Sequence, residues 1–145
     1  VLKHMYPDAD IPVFQLSIDR SRQPDYLYRM MKLVRDLRKK GVLVIGSGNI
    51  THNLSKVAPE EQAPVMDWAE EFDAKVANLV ARGDHDAIVN YESWGSVSRQ
   101  AHPSNDHFLP LIYTLGIARP EDNVRFLHEG FQHGSISMRC IQFGA

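Results

Sequence analysis

Two histidines stand where an imidazole could do chemistry. His52 closes the stretch Gly46-Ser47-Gly48-Asn49-Ile50-Thr51-His52, just beyond a short apolar run, and His107 closes His102-Pro103-Ser104-Asn105-Asp106-His107. A neutral imidazole is a metal ligand, and with an ordinary pKa near 6.5 it is also an acid or base at neutral pH. The glycine-rich loop offers a different chemistry, since successive backbone N–H groups can hold an anion. Each feature has a plainer explanation: glycines permit a tight turn, and a lone histidine is more often a solvated surface group than a ligand. Several familiar motifs are excluded. Gly46-Ser47-Gly48 lacks the third glycine of a dinucleotide fingerprint, and no Gly-Lys-Ser/Thr follows to make a phosphate-binding loop. Ser47 lacks the flanking spacing of a nucleophile elbow.

No metal motif of regular spacing is present. There is no His-Glu-x-x-His, and the single cysteine, Cys140, rules out a thiolate cluster and a disulfide within the chain. A metal site here must gather ligands from distant segments. His52, His102 and His107 could in principle build a three-histidine zinc site with hydrolysis as its chemistry. A non-catalytic metal- or anion-binding module built on the Gly46–Asn49 loop is the reading from another class.

The elements that must position these side chains read as α/β. Residues 12–19 alternate, with Phe14, Leu16 and Ile18 on one face, as a half-buried strand does. Residues 21–40 carry Leu27, Met30, Met31, Val34 and Leu37 at helical spacing, with Pro24 in the first turn and Gly41 as the stop. Residues 42–45 are wholly apolar and mostly β-branched, as in a central strand buried on both faces. Strand, helix and buried strand in that order predict a parallel pair, and the 46–49 loop then lies at a strand's carboxyl end, where such folds place ligands. A second amphipathic helix is predicted over 65–82, a weaker helical turn over 84–91, and a loop over 94–103. Ser104 caps a helix running through residues 108–115, and residues 124–127 and 135–143 read as closing strands across Glu129-Gly130. The expected fold is thus a central mixed, largely parallel sheet flanked by helices, part of a larger three-layer domain.

Composition narrows the class. The 145 residues fit one domain, and the 43% hydrophobic and 23% charged shares are those of a globular protein. A net charge of -2 and dispersed Lys and Arg give no footprint for nucleic acid. The cluster Arg35, Arg38, Lys39, Lys40 falls at the end of a predicted helix, where cations complement the helix dipole. No apolar run is long enough to span a bilayer and no signal-peptide pattern opens the chain, so a cytoplasmic location is expected.

Four stretches, in this order, carry a resemblance: Met5-Tyr6-Pro7-Asp8-Ala9-Asp10-Ile11-Pro12, Gly46 through His52-Asn53-Leu54, His102-Pro103 through His107-Phe108-Leu109-Pro110-Leu111, and Gly134-Ser135-Ile136-Ser137-Met138. Together they resemble the DOPA 4,5-dioxygenase branch of the class III extradiol dioxygenases, over essentially the whole chain. The resemblance implies ring opening of a DOPA-like catechol with O2 at a non-haem Fe(II), with His107 as a metal ligand, His52 as acid/base and His102 as a substrate contact. Zn is a metal expected to occupy such ligands in a purified sample. Two further histidine ligands of the family belong to an upstream half that is not in this sequence, where residues 1–145 match the C-terminal part of one catalytic domain. The resemblance therefore implies that the upstream half is a partner, and that this chain alone is inactive.

Overall fold

Pro24, with no N–H to leave unsatisfied, opens the helix α2 (Pro24–Leu33) at its first position. A shorter helix, α1 (Leu2–Met5), precedes it. The computed structural model describes residues 1–144. The α-helix predicted over 21–40 changes character at Val34 and continues as a 3-10 turn, Arg35–Lys40, ended by Gly41. The reason lies in the basic residues. Arg35 donates to the carbonyl of Gly116 at 3.3 and 3.4 Å, and Arg38 donates to that of Ile117 at 3.3 Å and pairs with Asp122. These cations thus satisfy the last carbonyls of a different helix, rather than only complementing the dipole of their own.

That other helix is α6 (Leu109–Ile117), in which seven of nine residues are buried. A helix apolar on every side must be enclosed, and α2 covers one flank through Leu27, Tyr28 and Met31. The two backbones meet at Gly116. A Cβ there would lie 2.6 Å from both Met31 Cβ and the Tyr28 carbonyl oxygen.

The remaining helices close around the same core. In α3 (Asp67–Ala81) the stripe Ala69, Phe72, Val76 and Val80 faces inward at helical spacing. After α4 (His85–Val89) and a 3-10 turn at Tyr91–Trp94, the predicted loop over 94–103 is in fact largely the helix α5 (Ser96–Ala101). Val97 and Ala101, four apart, bury one face of it. Phe72, Tyr91 and Phe108 form an aromatic centre, with Phe108 5.5 Å from Phe72 and 4.5 Å from Tyr91 between ring centroids.

The closing strands form as expected, with an addition. β1 (Val124–His128) pairs antiparallel with β4 (Cys140–Phe143), and a small hairpin, β2 (Phe131–Gln132) with β3 (Ile136–Ser137), sits between them. Arg139 turns inward beside this hairpin and forks onto Asp73 of α3, with Nη2 to Oδ2 at 2.6 Å. Charge-assisted bidentate pairs of this kind are the strong ones when buried.

The expected parallel sheet is not among the described residues, whose sheets are the two antiparallel pairs. A strand exists only through its ladder, and neither of the two predicted strands has one. Residues 12–19 run without ladder partners, and Val13, Phe14 and Leu16 are exposed. Residues 42–45, predicted to be buried on both faces, are half-covered: Val42 and Val44 pack inward while Leu43 and Ile45 stay open. The architecture is mixed α/β with the helices dominant. Among the described residues no helix is long and apolar enough to cross a membrane.

Gly116→Ala tests the α2–α6 contact. It is expected to lower the unfolding free energy by about 1–3 kcal/mol in denaturant titration, because the added methyl overlaps Met31 and the Tyr28 carbonyl. An unchanged midpoint would show that the helices do not meet here.

Candidate functional site

Residues 46–53 run as an open loop from the end of the 42–45 segment to a short 3-10 turn at Leu54–Lys56. The loop lies against the start of α6, an approach that requires glycine at two places. A Cβ on Gly46 would stand 2.6 Å from the Pro110 carbonyl oxygen and 2.8 Å from Thr114, and a Cβ on Gly48 would overlap the carbonyl of His107. Asn49 completes the contact, its backbone N–H donating to the His107 carbonyl at 2.9 Å.

This contact brings the two candidate imidazoles together. The rings of His52 and His107 stack with centroids 3.6 Å apart and planes 18° from parallel. The His107 side chain is 42% exposed, so the pair opens to solvent. Asp106 lies beside it, with Oδ2 3.6 Å from His107 Nε2, and Arg20 approaches the same carboxylate at 3.9 Å. Burial holds the His52 imidazole below its ordinary pKa, reinforced by the neighbouring charge of His107 and opposed by Asp106. The Ser104 hydroxyl, more than any other group, keeps Asp106 below the ordinary carboxylate range. At neutral pH the site therefore holds a neutral base at position 52 and an anion at its edge.

His102 sits behind the pair, 7% exposed, between Phe72 and Phe108. Its Nε2 lies 2.6 Å from the Ile50 carbonyl oxygen and must carry the proton to bond it. Burial pushes its pKa down to about 4. The side chain named in the sequence as a substrate contact thus holds the loop that carries His52. The three-histidine zinc site is not formed: among the described residues no group of three or more His, Cys, Asp or Glu side chains is arranged to hold a metal ion.

The sequence did not point to the residues that fix the loop. Thr51 and Asn53, on either side of His52, are both buried. Thr51 Oγ1 donates to the Ser135 carbonyl at 2.8 Å, and Asn53 Nδ2 donates to that of Gln100 at 2.7 Å. The backbone N–H of His52 donates to the Ala101 carbonyl at 3.0 Å. The one signal for this in the sequence is the crowding of short hydrogen-bonding side chains around a single histidine.

Residues 2–144 match the model described as the catalytic LigB subunit of aromatic ring-opening dioxygenase. The chain belongs to that family. It is similar to a 4,5-DOPA dioxygenase extradiol of Escherichia coli K12, at 38% identity over 99% of this chain and 54% of the relative. A protein of the same name from Beta vulgaris is 32% identical over 96% of this chain and 52% of its own length. The crystal structure of an uncharacterized protein from Escherichia coli K12 superposes with a TM-score of 0.88 at 34% identity, covering 99% of this chain and 59% of that one. The chain spans about half the length of these curated relatives.

Two outcomes test the site. Gly48→Ala is expected to push the loop off His107 and unstack the rings, read as a shift of the His52 and His107 ring-proton resonances with helical circular dichroism retained. Unmoved resonances would show that the close approach does not set the pair. His102 makes stability depend on pH. The unfolded chain binds its proton near pH 6.5 and the folded chain only near 4, so the contribution is whole above 6.5 and lost as pH falls to about 4. The loss amounts to about 3 kcal/mol. His102→Asn is expected to flatten that part of the stability curve in denaturant titrations; an unchanged slope would assign the loss to another group.

Proposed function

We propose that this chain is part of an extradiol dioxygenase that opens the ring of a DOPA-like catechol with O2, using a non-haem Fe(II) held partly by His107. The stacked pair of His52 and His107 carries the reading, since two imidazoles from distant segments meet at one solvent-facing place. Imidazole donors suit Fe(II) and Zn(II) alike, so the residues present fit one part of a mononuclear site. Bound Fe(II) supplies the passage of electrons between catechol and O2.

The chain's own residues do the rest. His107 is one ligand, and its stacking partner His52 is the proton carrier. Held neutral by burial, a ring nitrogen of His52 takes the proton from a catechol hydroxyl and returns a proton after ring opening. His102, fixed on the Ile50 carbonyl, keeps the loop in place during that exchange.

The missing ligands come from polypeptide outside this chain, in the portion of the relatives that it does not cover, expected upstream. The open apolar positions favour this partner. Val13, Phe14, Leu16, Leu43 and Ile45 belong to two extended runs without ladders, suited to pairing with further strands. Strands added there complete a largely parallel sheet within a three-layer domain and leave residues 46–52 at a strand's carboxyl end.

The test compares this chain alone with the same chain joined to the uncovered portion of the Escherichia coli relative. The joined protein is expected to retain Fe(II), consume O2 with a catechol and form a yellow ring-opened product, while the chain alone does none of these to a useful extent. In the joined protein His107→Ala is expected to lose the metal, and His52→Ala to keep the metal but lose turnover by 100-fold or more, about what a positioned proton carrier supplies. Equal activity with and without the joined portion would refute the missing-ligand reading, and full turnover in His52→Ala would refute the proton carrier.

A further inference from the structure

We infer that Thr51 is a positioning residue for His52, acting through a hydrogen-bonded seam to the segment 135–137; this rests on the reading of His52 as proton carrier. Thr51 is completely buried and immediately precedes His52. Its hydroxyl is used twice: Oγ1 donates to the Ser135 carbonyl at 2.8 Å and accepts from the Ser137 backbone N–H at 2.9 Å. One side chain thereby satisfies two backbone groups of another element. Asn49 extends the seam, its Nδ2 donating to the Ser137 carbonyl at 3.1 Å while its backbone N–H holds the His107 carbonyl.

The far side of the seam is anchored. Ser137 is 1% exposed and its Oγ donates to Asp73 Oδ1 at 2.6 Å. Asp73 is in turn gripped by Arg139, through Nε at 3.0 Å to Oδ1 and Nη2 at 2.6 Å to Oδ2. The seam thus runs from the buried pair of Arg139 and Asp73 of α3, through Ser137, to the residue beside His52. A buried hydrogen-bonded network favours one geometry, because displacing it strands donors and acceptors without water. The loop carrying His52 has no ladder of its own, so side-chain bonds such as that of Thr51 set where the imidazole lies. Loss of the hydroxyl lets the loop shift against His107, and a displacement of about 1 Å at a reacting group can cost up to about 100-fold in rate.

Thr51→Val keeps the shape and removes the hydroxyl, while Thr51→Ser keeps the hydroxyl. Two readouts are taken, with thermal midpoints as a control on folding. The first needs no activity: the ring-proton resonances of His52 and His107 in this chain, recorded for every variant at the same pH. The second is kcat and KM for a catechol in the joined protein. Thr51→Val is expected to move the His52 resonances away from their stacked values and lower kcat by about ten-fold or more with KM within two-fold, and Thr51→Ser to restore both. Unchanged resonances and kcat in Thr51→Val, or a Thr51→Ser protein as impaired as Thr51→Val, would overturn the inference. Should Thr51→Val fail to fold, Asn49→Asp removes the donor to Ser137 from the same seam; the same shift in His52 is expected, and its absence overturns the inference. A resonance shift in a protein whose unsubstituted joined form never consumes O2 would leave the positioning intact and refute the proton-carrier reading instead.

Discussion

The close approach of the 46–53 loop to the first turn of α6 is the constraint on which the site depends. At Gly46 and Gly48 the separation between backbone and backbone is too small for a methyl group. Everything chemical about the molecule follows from that proximity: it sets the distance from the loop to His107, and with it the stacking of His52. α6 can serve as the wall because it is itself immobilised, sheathed by α2 through Gly116 and with its terminal carbonyls taken by Arg35 and Arg38. The rigidity of the apolar core is thus passed on to an otherwise irregular loop.

The same loop shows how backbone groups are satisfied without regular structure. A buried segment with neither helix nor ladder must find a partner for each N–H and carbonyl. Here backbone partners come from three places, Ala101 for the N–H of His52, His102 for the carbonyl of Ile50 and the carbonyl of His107 for the N–H of Asn49, while the Thr51 side chain ties the loop to the 135–137 segment. Each contact is local and replaceable in principle. Together they restrict the loop to one arrangement and so fix where the His52 imidazole lies.

How much of this was legible in the sequence depends on which physical rule was in charge. The helices α2 and α3 were legible because each carries a stripe at helical spacing, with a proline opening α2 and Gly83 just beyond the end of α3. The closing β1–β4 pair was legible for the same kind of reason. Residues 12–19 and 42–45 have strand patterns and no ladder, because a pattern states only which face seeks burial and the partner is a separate matter. The helix over 96–101 was missed since its short inner face, Val97 and Ala101, is too small to give a period. The convergence of His52 and His107 came from resemblance alone; no spacing connects two positions joined by a glycine contact. The bond from His102 to the Ile50 carbonyl was not legible, because nothing local shows that Ile50 lies across from it.

The electrostatics of the pair follow from its geometry by opposing effects. Two imidazoles 3.6 Å apart cannot both carry a proton cheaply, since like charges at that distance repel even through a medium of intermediate dielectric. Burial acts in the same direction on His52, and further back it acts far more strongly on His102, which is screened from solvent by Phe72 and Phe108. Asp106 pulls the other way, with its carboxylate kept ionised chiefly by the Ser104 hydroxyl. Burial and the His107 charge outweigh the carboxylate at position 52, so the ring stays in its basic form where an unperturbed histidine would be partly protonated. The carboxylate still matters, because its Oδ2 lies 3.6 Å from His107 Nε2 and opposes the lowering at His52. The pair thus keeps a neutral base at position 52 beside an ionised carboxylate, while the buried His102 behind it stays uncharged.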